Sequence, residues 1–415
     1  MIPRLRPPFS LIDLTAAVLP GRGDAIAEFE ARFAERFGFP HAVFFPYGRS
    51  ALYALLCALR WADREIVCPS YTCSAVPHAI TLAGNRVRFA DSDPSHFNVT
   101  AEYLRPVLTP DTALVILTPL FGYPIDRVAC HTAIAERSPD ALVMYDVAQG
   151  FGAEDDEGLQ FSNADLALFS FGIGKMVSTL YGGMLLIRRG DIHDVVRRHR
   201  DLHFGSATVR RPFELLAYGA GTWCAFRKPL FWVANFLEER TGLLDHLTKY
   251  YYAKDEPRLP SDVAVRPVNL QARLGLRQLG RYDGIVAARR RVCRRYEERL
   301  RCEGVRVFEH SHEPTYSLFP LAVSDADAAR KHLACNGVQV GVLIDYNCAD
   351  LPGYETHEGT CINARRWGRS MINLPNWPGL TQTEADRVID VLLRWRDRSV
   401  LQEAEAADIS VKRSS

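Results

Sequence analysis

The chain has 415 residues, is 47% hydrophobic and 24% charged, and carries a formal net charge of +1. That length holds one large domain or two, and so balanced a charge gives nucleic acid no broad reason to bind. The ten cysteines form no CxxC pair, which argues against zinc and thioredoxin-like sites and fits a reducing cytoplasm better than a disulfide scaffold.

The first residues, MIPRLRPPFSLIDLTAAVLPGRGD, have early prolines and no continuous apolar run, so they do not read as a signal peptide. Asp24 to Phe37 shows apolar residues at helical spacing, stopped by Gly38. A short strand at Ala42–Phe45 leads into Pro46-Tyr47-Gly48-Arg49-Ser50 and a helix, ALYALLCALRWA. A strand, a glycine turn and a helix N-terminus make a common anion cradle, because the first amides are unpaired and the dipole favours negative charge. Arg49 and Ser50 add donors there; an ordinary turn with a solvent-facing arginine is the alternative.

Further β/α alternations follow. Strands are expected at Glu65–Cys68, Arg86–Ala90, Ala113–Thr118, Ala141–Tyr145, Leu166–Phe171 and Met184–Ile187. Helices are expected after PSYTCSAVPHAI begins, weakly at Ala101–Leu104, and around Ala129–Glu136. Runs such as ALVILT suit strands buried on both faces of a parallel sheet. The pattern predicts an α/β domain with a mostly parallel central sheet and helices on both faces. In such sheets ligands sit beyond the carboxyl ends of the strands. Gly48, Arg49, Cys73, Asp146, Gln149, Ser170 and Lys175 all follow predicted strands.

Residues 188–262 read as helical, basic at first and then apolar. Leu215 to Leu237 is long enough to span a bilayer, but Arg227, Lys228 and Pro229 break it. Two short apolar helices are expected, packed on the body, at a subunit interface, or against a membrane or lipid-linked substrate. A long charged helix is expected over Leu270–Leu300. The remainder reads as a smaller α+β domain, with strands near Val305–Phe308, Ser317–Val323 and Val338–Ile344 and helices at Ala326–Cys335 and Thr383–Arg398. The domain expectation is 1–260 with a variable insert at 195–260, then 261–400, then a polar tail at 401–415.

FSFGIGKMVSTLYGG, from Phe169 to Gly183, places one lysine, Lys175, among apolar and small residues. A buried ammonium tends to lose its proton, and the neutral amine then attacks carbonyls. A lysine at a loop tip, with its amine in water, is the other reading. Asp146 ends a buried strand, where a carboxylate is costly unless it is paired. One cofactor needs the lysine, the carboxylate and the cradle together: pyridoxal 5'-phosphate. Its aldehyde takes the lysine, its pyridine nitrogen takes the carboxylate, and its phosphate takes the helix N-terminus.

On these motifs the chain resembles the DegT/StrS-type sugar aminotransferases, of fold type I among pyridoxal-phosphate enzymes. The resemblance rests on FSFGIGK with Gly182-Gly183, on YDVAQGFG, and on YGRSAL where the family has Ser-Gly-Thr-x-Ala-Leu. It also rests on PSYTCSAVPHAI…GNRVRFADSDP, NLQARLGLRQL and LPNWPGLTQTEADRV. It implies Lys175 as the Schiff-base lysine, Asp146 at the pyridine nitrogen, Gln149 near the ring hydroxyl and Ser170 on the phosphate. It further implies a homodimer, glutamate or glutamine as amino donor, and a keto sugar, nucleotide-linked, or related keto compound as acceptor. A decarboxylase, aldolase or dehydratase of the same fold, or a binder that retains the cofactor, are the rival readings.

Three positions depart from the family. Arg49 replaces the phosphate-motif threonine. Ala264 stands where the family has an asparagine from the neighbouring subunit, two residues before the retained Arg266. Cys73 stands where an aromatic ring stacks on the cofactor. Arg49 is expected to take over the lost phosphate contacts, and Tyr71 or a residue from elsewhere to cover the ring.

Overall fold

The computed structural model describes residues 1–19, 23–227, 230–232, 256–354, 357 and 359–395. Its centre is a seven-stranded sheet. The strands are β1 (His41–Phe45), β2 (Glu65–Pro69), β3 (Arg86–Ala90), β4 (Thr112–Leu117), β5 (Leu142–Asp146), β8 (Leu166–Ser170) and β9 (Gly183–Ile187). A two-residue hairpin, β6 (Glu154–Asp155) and β7 (Gly158–Leu159), lies between β5 and β8. The order across the large sheet is β1-β9-β8-β5-β4-β2-β3. The pairs from β8 to β3 are parallel; β9 runs against both its neighbours, β1 and β8. Every predicted strand of this sheet is present within two residues of its expected ends.

The reason lies in burial. All residues of β2, β4 and β9 are buried, as expected of strands covered by helices on both faces. One face carries helices α3 (Gly48–Ala58), α4 (Ala75–Leu82) and α7 (Gly190–His203); their apolar residues join one core with Leu114, Ile116, Leu166 and Leu168. The other face packs Phe29, Phe33 and Phe37 of α2 (Ala25–Phe37) against Phe44, Phe151, Phe169 and Phe171. Asp24 caps α2 by accepting from the Ile26 and Ala27 amides, and Gly38 ends it at φ 70°.

Before α2 stands α1 (Leu11–Val18), absent from the sequence expectation; α5 (Ala101–Leu104) and α6 (Arg127–Arg137) follow β3 and β4, and α8 (Arg211–Ala225) follows α7. The expected single helix over Leu270–Leu300 is two: α9 (Asn269–Leu279) and α10 (Tyr282–Cys302). The break falls at Gly280, whose amide still bonds back to Leu276 O, and at Arg281, whose ψ of 7° leaves the helical range. Separating them lets α9 pack on α1 and α2 while α10 packs on the last helix, α13 (Gln382–Arg394).

The expected strand at Val305–Phe308 does not form. Val307 and Phe308 are buried there in irregular backbone. Val338–Ile344 is likewise not a strand: single bridges join Val338 to Ile2 and Gly341 to Asn373. The C-terminal sheet has two strands, β10 (Phe319–Ala322) and β11 (Met371–Leu374), with α11 (Ala326–Cys335) and α12 (Ile362–Ser370). The first half of the apolar 215–237 stretch lies in α8; residues 228–229 and 233–237, the rest of the insert to 255 and the tail from 396 lie outside the described residues. No helix among the described residues is long and apolar enough to cross a membrane.

Candidate active site

Three strand ends and one helix start build the site. β8 ends at Ser170 and β9 begins at Gly183, and these two residues face each other in the ladder. Gly48 opens α3 immediately beside them: a Cβ placed on Gly48 would lie 3.3 Å from Phe169 O and 3.4 Å from Ser170 Cβ. A Cβ placed on Gly183 would lie 2.4 Å from the Gly48 amide nitrogen, a distance no real side chain tolerates. Ser170, Gly48 and Gly183 therefore lie together at the start of α3, where the first amides lack intrahelical partners.

Asp146 ends β5 and is buried. Its Oδ1 accepts the Ala148 amide at 3.0 Å. Burial raises its pKa, while the Ala148 amide and the Lys175 charge pull the other way. Lys175 sits on the loop after β8, where its amide bonds Gly172 O at 3.0 Å. Desolvation lowers its pKa, opposed by Cys73 and Asp146. Lys175, Asp146 and Cys73 thus share one electrostatic environment. Lys175 is half-buried, and desolvation is the largest influence on its amine, which favours a partly enclosed lysine over a loop tip in water.

The loop beyond Lys175 is fastened to α9. Gln278 Nε2 donates to Ser178 O at 2.5 Å, and the Ser178 amide donates to Gln278 Oε1 at 2.9 Å. Leu180 holds φ at 72° and Phe121, after β4, at 57°. Each costs on the order of 1 kcal/mol, and both residues are buried in cores that fix them.

Other expected residues have partners outside this group. Gln149 is buried and accepts the Phe121 amide at 3.3 Å. Ser50 is buried, and its hydroxyl donates to Val263 O at 2.7 Å. Arg49 is half-buried on the first turn of α3. Arg266 Nη2 donates to Ser206 Oγ at 2.8 Å, and its amide bonds Gly205 O. The Ala264 segment closes on the same chain's cradle: Tyr47, the residue before Gly48, donates its hydroxyl to Asp262 at 2.7 Å, and Arg211 pairs with that carboxylate at 2.7 Å.

Tyr71, one candidate to cover the ring, is held within the core. It is fully buried and donates to Ile344 O at 3.2 Å. The ring brought beside Cys73 is Tyr346, whose hydroxyl accepts the Ser74 amide at 2.9 Å. Burial first, and then the Cys73 thiol, push that phenol well up. Cys348 adds a second tie, with Sγ 3.2 Å from Thr72 O and its amide on Ser70 O. Tyr346 lies two residues beyond Val338–Ile344, the stretch expected to be a strand, and no local pattern could connect it to a turn more than 270 residues earlier.

These residues fit pyridoxal 5'-phosphate. A desolvated amine and a buried carboxylate act on each other, and a glycine-lined helix start is kept free of side chains. The comparisons agree. The family model described as "DegT/DnrJ/EryC1/StrS aminotransferase family" matches residues 14–225 and 236–393. The chain is 28% identical over 387 residues to the GDP-perosamine synthase of Caulobacter vibrioides, covering 89% of this chain and 90% of that one. Among solved structures, the sugar aminotransferase CalS13 from Micromonospora echinospora superposes with a TM-score of 0.74 at 21% identity, over 95% of this chain and 100% of that one. The E. coli GDP-4-keto-6-deoxy-D-mannose-3-dehydratase with bound hydrated PLP shares the fold at a TM-score of 0.72 and 16% identity, over 94% and 99%. By sequence along most of its length, the chain belongs to the DegT/DnrJ/EryC1/StrS aminotransferase family and is an aminotransferase that works with pyridoxal 5'-phosphate.

Proposed function

We propose that the protein transfers an amino group from glutamate or glutamine to a keto sugar carried on a nucleotide, in amino-sugar biosynthesis, as a cytoplasmic homodimer. The observation that carries this reading is the meeting of Lys175 with Asp146 beside the Gly48 cradle. The names of the relatives point to nucleotide-linked amino sugars: GDP-perosamine synthase in Caulobacter vibrioides, and a dTDP-4-amino-4,6-dideoxy-D-glucose transaminase in Shigella dysenteriae.

When bound, the cofactor supplies an aldehyde and an electron-withdrawing ring that delocalises a carbanion. The protein's residues divide the remaining work. Lys175 Nζ, with its pKa lowered by desolvation, is available as a neutral amine for the aldehyde. Once released, the same Nζ takes up a proton and returns it, as general base and then acid. Asp146 holds a proton on the ring nitrogen, and its Ala148 hydrogen bond fixes the carboxylate for that partner. The start of α3 and Ser170 hold the phosphate, with Arg49 as the added cation. Tyr346 and Cys73 wall the cofactor's face.

The fold is shared with a dehydratase, so fold alone does not set the reaction. An amine at position 175 favours transamination over dehydration. A spectral half-reaction tests the reading. Glutamate or glutamine added to the yellow holoenzyme should bleach its visible band, and a keto sugar nucleotide should restore it. Failure of every amino donor to move the band would sink the proposal. An Arg49→Ala variant should bind the cofactor about tenfold more weakly; unchanged affinity removes Arg49 from the phosphate site.

A further inference from the structure

Two arginines far apart in sequence each stack on a tryptophan, in elements that pack beside the Lys175 loop. Residues 2–9 form an arm. It starts at the Ile2–Val338 bridge, and Trp377 Nε1–H donates to Pro3 O at 3.2 Å. The arm then crosses the catalytic loop: a Cβ on Gly174, the neighbour of Lys175, would lie 3.4 Å from Leu5 Cδ2. The next residue, Arg6, lays its guanidinium 4.1 Å over the Trp377 ring. Its Nε is buried without a hydrogen-bond partner among the described residues.

The second cation comes from the far end of α8. Arg227 is exposed and stacks 3.8 Å over the Trp223 ring. Trp223 packs on the cluster of Phe9, Leu14 and Leu180, so the arm, the Lys175 loop and α8 share one small core. Gly219, one turn before Trp223, permits this: a Cβ there would come within 2.9 Å of Leu14 and 3.1 Å of Leu180.

Burial and the Arg227 charge lower the Arg6 pKa, against attraction from Glu384. The Glu384 carboxylate is itself engaged in a capping box, accepting from the Thr381 amide at 3.1 Å and hydroxyl at 3.0 Å. Among the described residues, neither guanidinium has a carboxylate within ion-pair distance. Like charges brought together without a counter-ion are unfavourable unless an anion joins them. Guanidiniums stacked on indoles are held flat, are weakly hydrated and offer a fork that matches phosphate oxygens.

We propose that Arg6 and Arg227, held on Trp377 and Trp223, form the binding site for a phosphate or diphosphate group of the amino acceptor. This rests on the reading of the acceptor as a phosphate-bearing keto sugar. It assigns acceptor recognition to the arm and to the end of α8, elements whose pairing is local to this chain's own aromatic residues.

Calorimetric titration of the holoenzyme with inorganic pyrophosphate tests it. The wild type should bind, and Arg6→Gln and Arg227→Gln should each weaken binding by about tenfold, with Arg→Lys at either position weakening it less. Wild-type affinity in both Gln variants, or no binding by the wild type at millimolar pyrophosphate, overturns the proposal. Arg227 is exposed, so its variants remain informative even where loss of the Arg6 stack disturbs folding. GDP, dTDP and farnesyl diphosphate form the remaining arms. Tighter, Arg-dependent binding of a nucleotide or of the prenyl compound supports the site and names the carrier; binding of any of them that ignores both arginines counts against it. The glutamate half-reaction of the wild type is read separately. A silent half-reaction with Arg-dependent pyrophosphate binding removes the transaminase reading and leaves this site standing.

Discussion

Gly183 lies so close to Gly48 that a single added methyl group would meet the Gly48 amide nitrogen at 2.4 Å. The first residue of β9 and the first residue of α3 therefore touch through backbone alone. This contact joins two consequences. It sets the helix start at the ends of β8 and β9, and it keeps the space before the helix free for an anion.

A Gly183→Ala variant should lose cofactor affinity by tenfold or more. Relief of the clash has to push the start of α3 away from Ser170, and overpacking of this kind costs about 1–3 kcal/mol. Titration with pyridoxal 5'-phosphate followed by absorbance measures the affinity, and thermal melting measures the stability. Unchanged affinity would show that the cradle amides do not hold the phosphate.

Lys175→Arg should abolish turnover while leaving the fold intact, because a guanidinium is neither a nucleophile nor a proton shuttle at neutral pH. Asp146→Asn should lower kcat/KM by about 10²–10⁴-fold, since an amide cannot hold the ring nitrogen protonated. Steady-state kinetics and cofactor content per chain check both. An Asp146→Asn enzyme of normal rate would remove the carboxylate from the mechanism.

Tyr346 ties the C-terminal part of the chain to the Cys73 turn through its hydroxyl and the Ser74 amide. Tyr346→Phe deletes that bond but keeps the ring, at a cost near 1 kcal/mol. Tyr346→Ala deletes both. The Ala variant should show a shifted cofactor absorbance band and faster cofactor loss, and the Phe variant should stay close to wild type. Equal behaviour of the two variants would mean that the hydroxyl, and not the ring, matters there.

Asp13 should make folding acid-sensitive. Its carboxyl is buried, which opposes ionisation, yet hydrogen bonds from Arg281, Ser10 and Arg277 bring its pKa down from 3.8 to about 2. A depressed folded-state pKa stabilises the protein above the unfolded value of 3.8 and loses that stabilisation as pH falls towards 2. The arginines are half exposed, so after solvent screening the effect is on the order of 1 kcal/mol. Denaturant unfolding of wild type and Asp13→Asn should differ most above pH 4 and converge near pH 2.

Most strands of the large sheet were legible in the sequence because they are apolar runs, wholly buried in β2, β4 and β9 and mostly buried in β1, β5 and β8, a pattern set by local composition. Lys175, Asp146 and the Gly48 turn were legible for a related reason: each follows such a run, and their chemistry is uncommon in those places. The break at Gly280 escaped because a glycine and a run of arginines are compatible with a continuing helix; only the different partners of α9 and α10 separate them. The missing strand at Val305–Phe308 escaped because apolar content secures burial without requiring a hydrogen-bonded neighbour.

By itself, the sequence determined the layered α/β core, the lysine, its carboxylate and the glycine-rich anion cradle, since these depend on residues close together along the chain. The tertiary structure alone decided what surrounds them. Tyr346 instead of Tyr71 beside Cys73, Asp262 on Tyr47, and Arg6 and Arg227 on their tryptophans are contacts between segments distant in sequence. Such contacts follow from how the packed elements meet in space, and no periodicity or spacing within one segment encodes them.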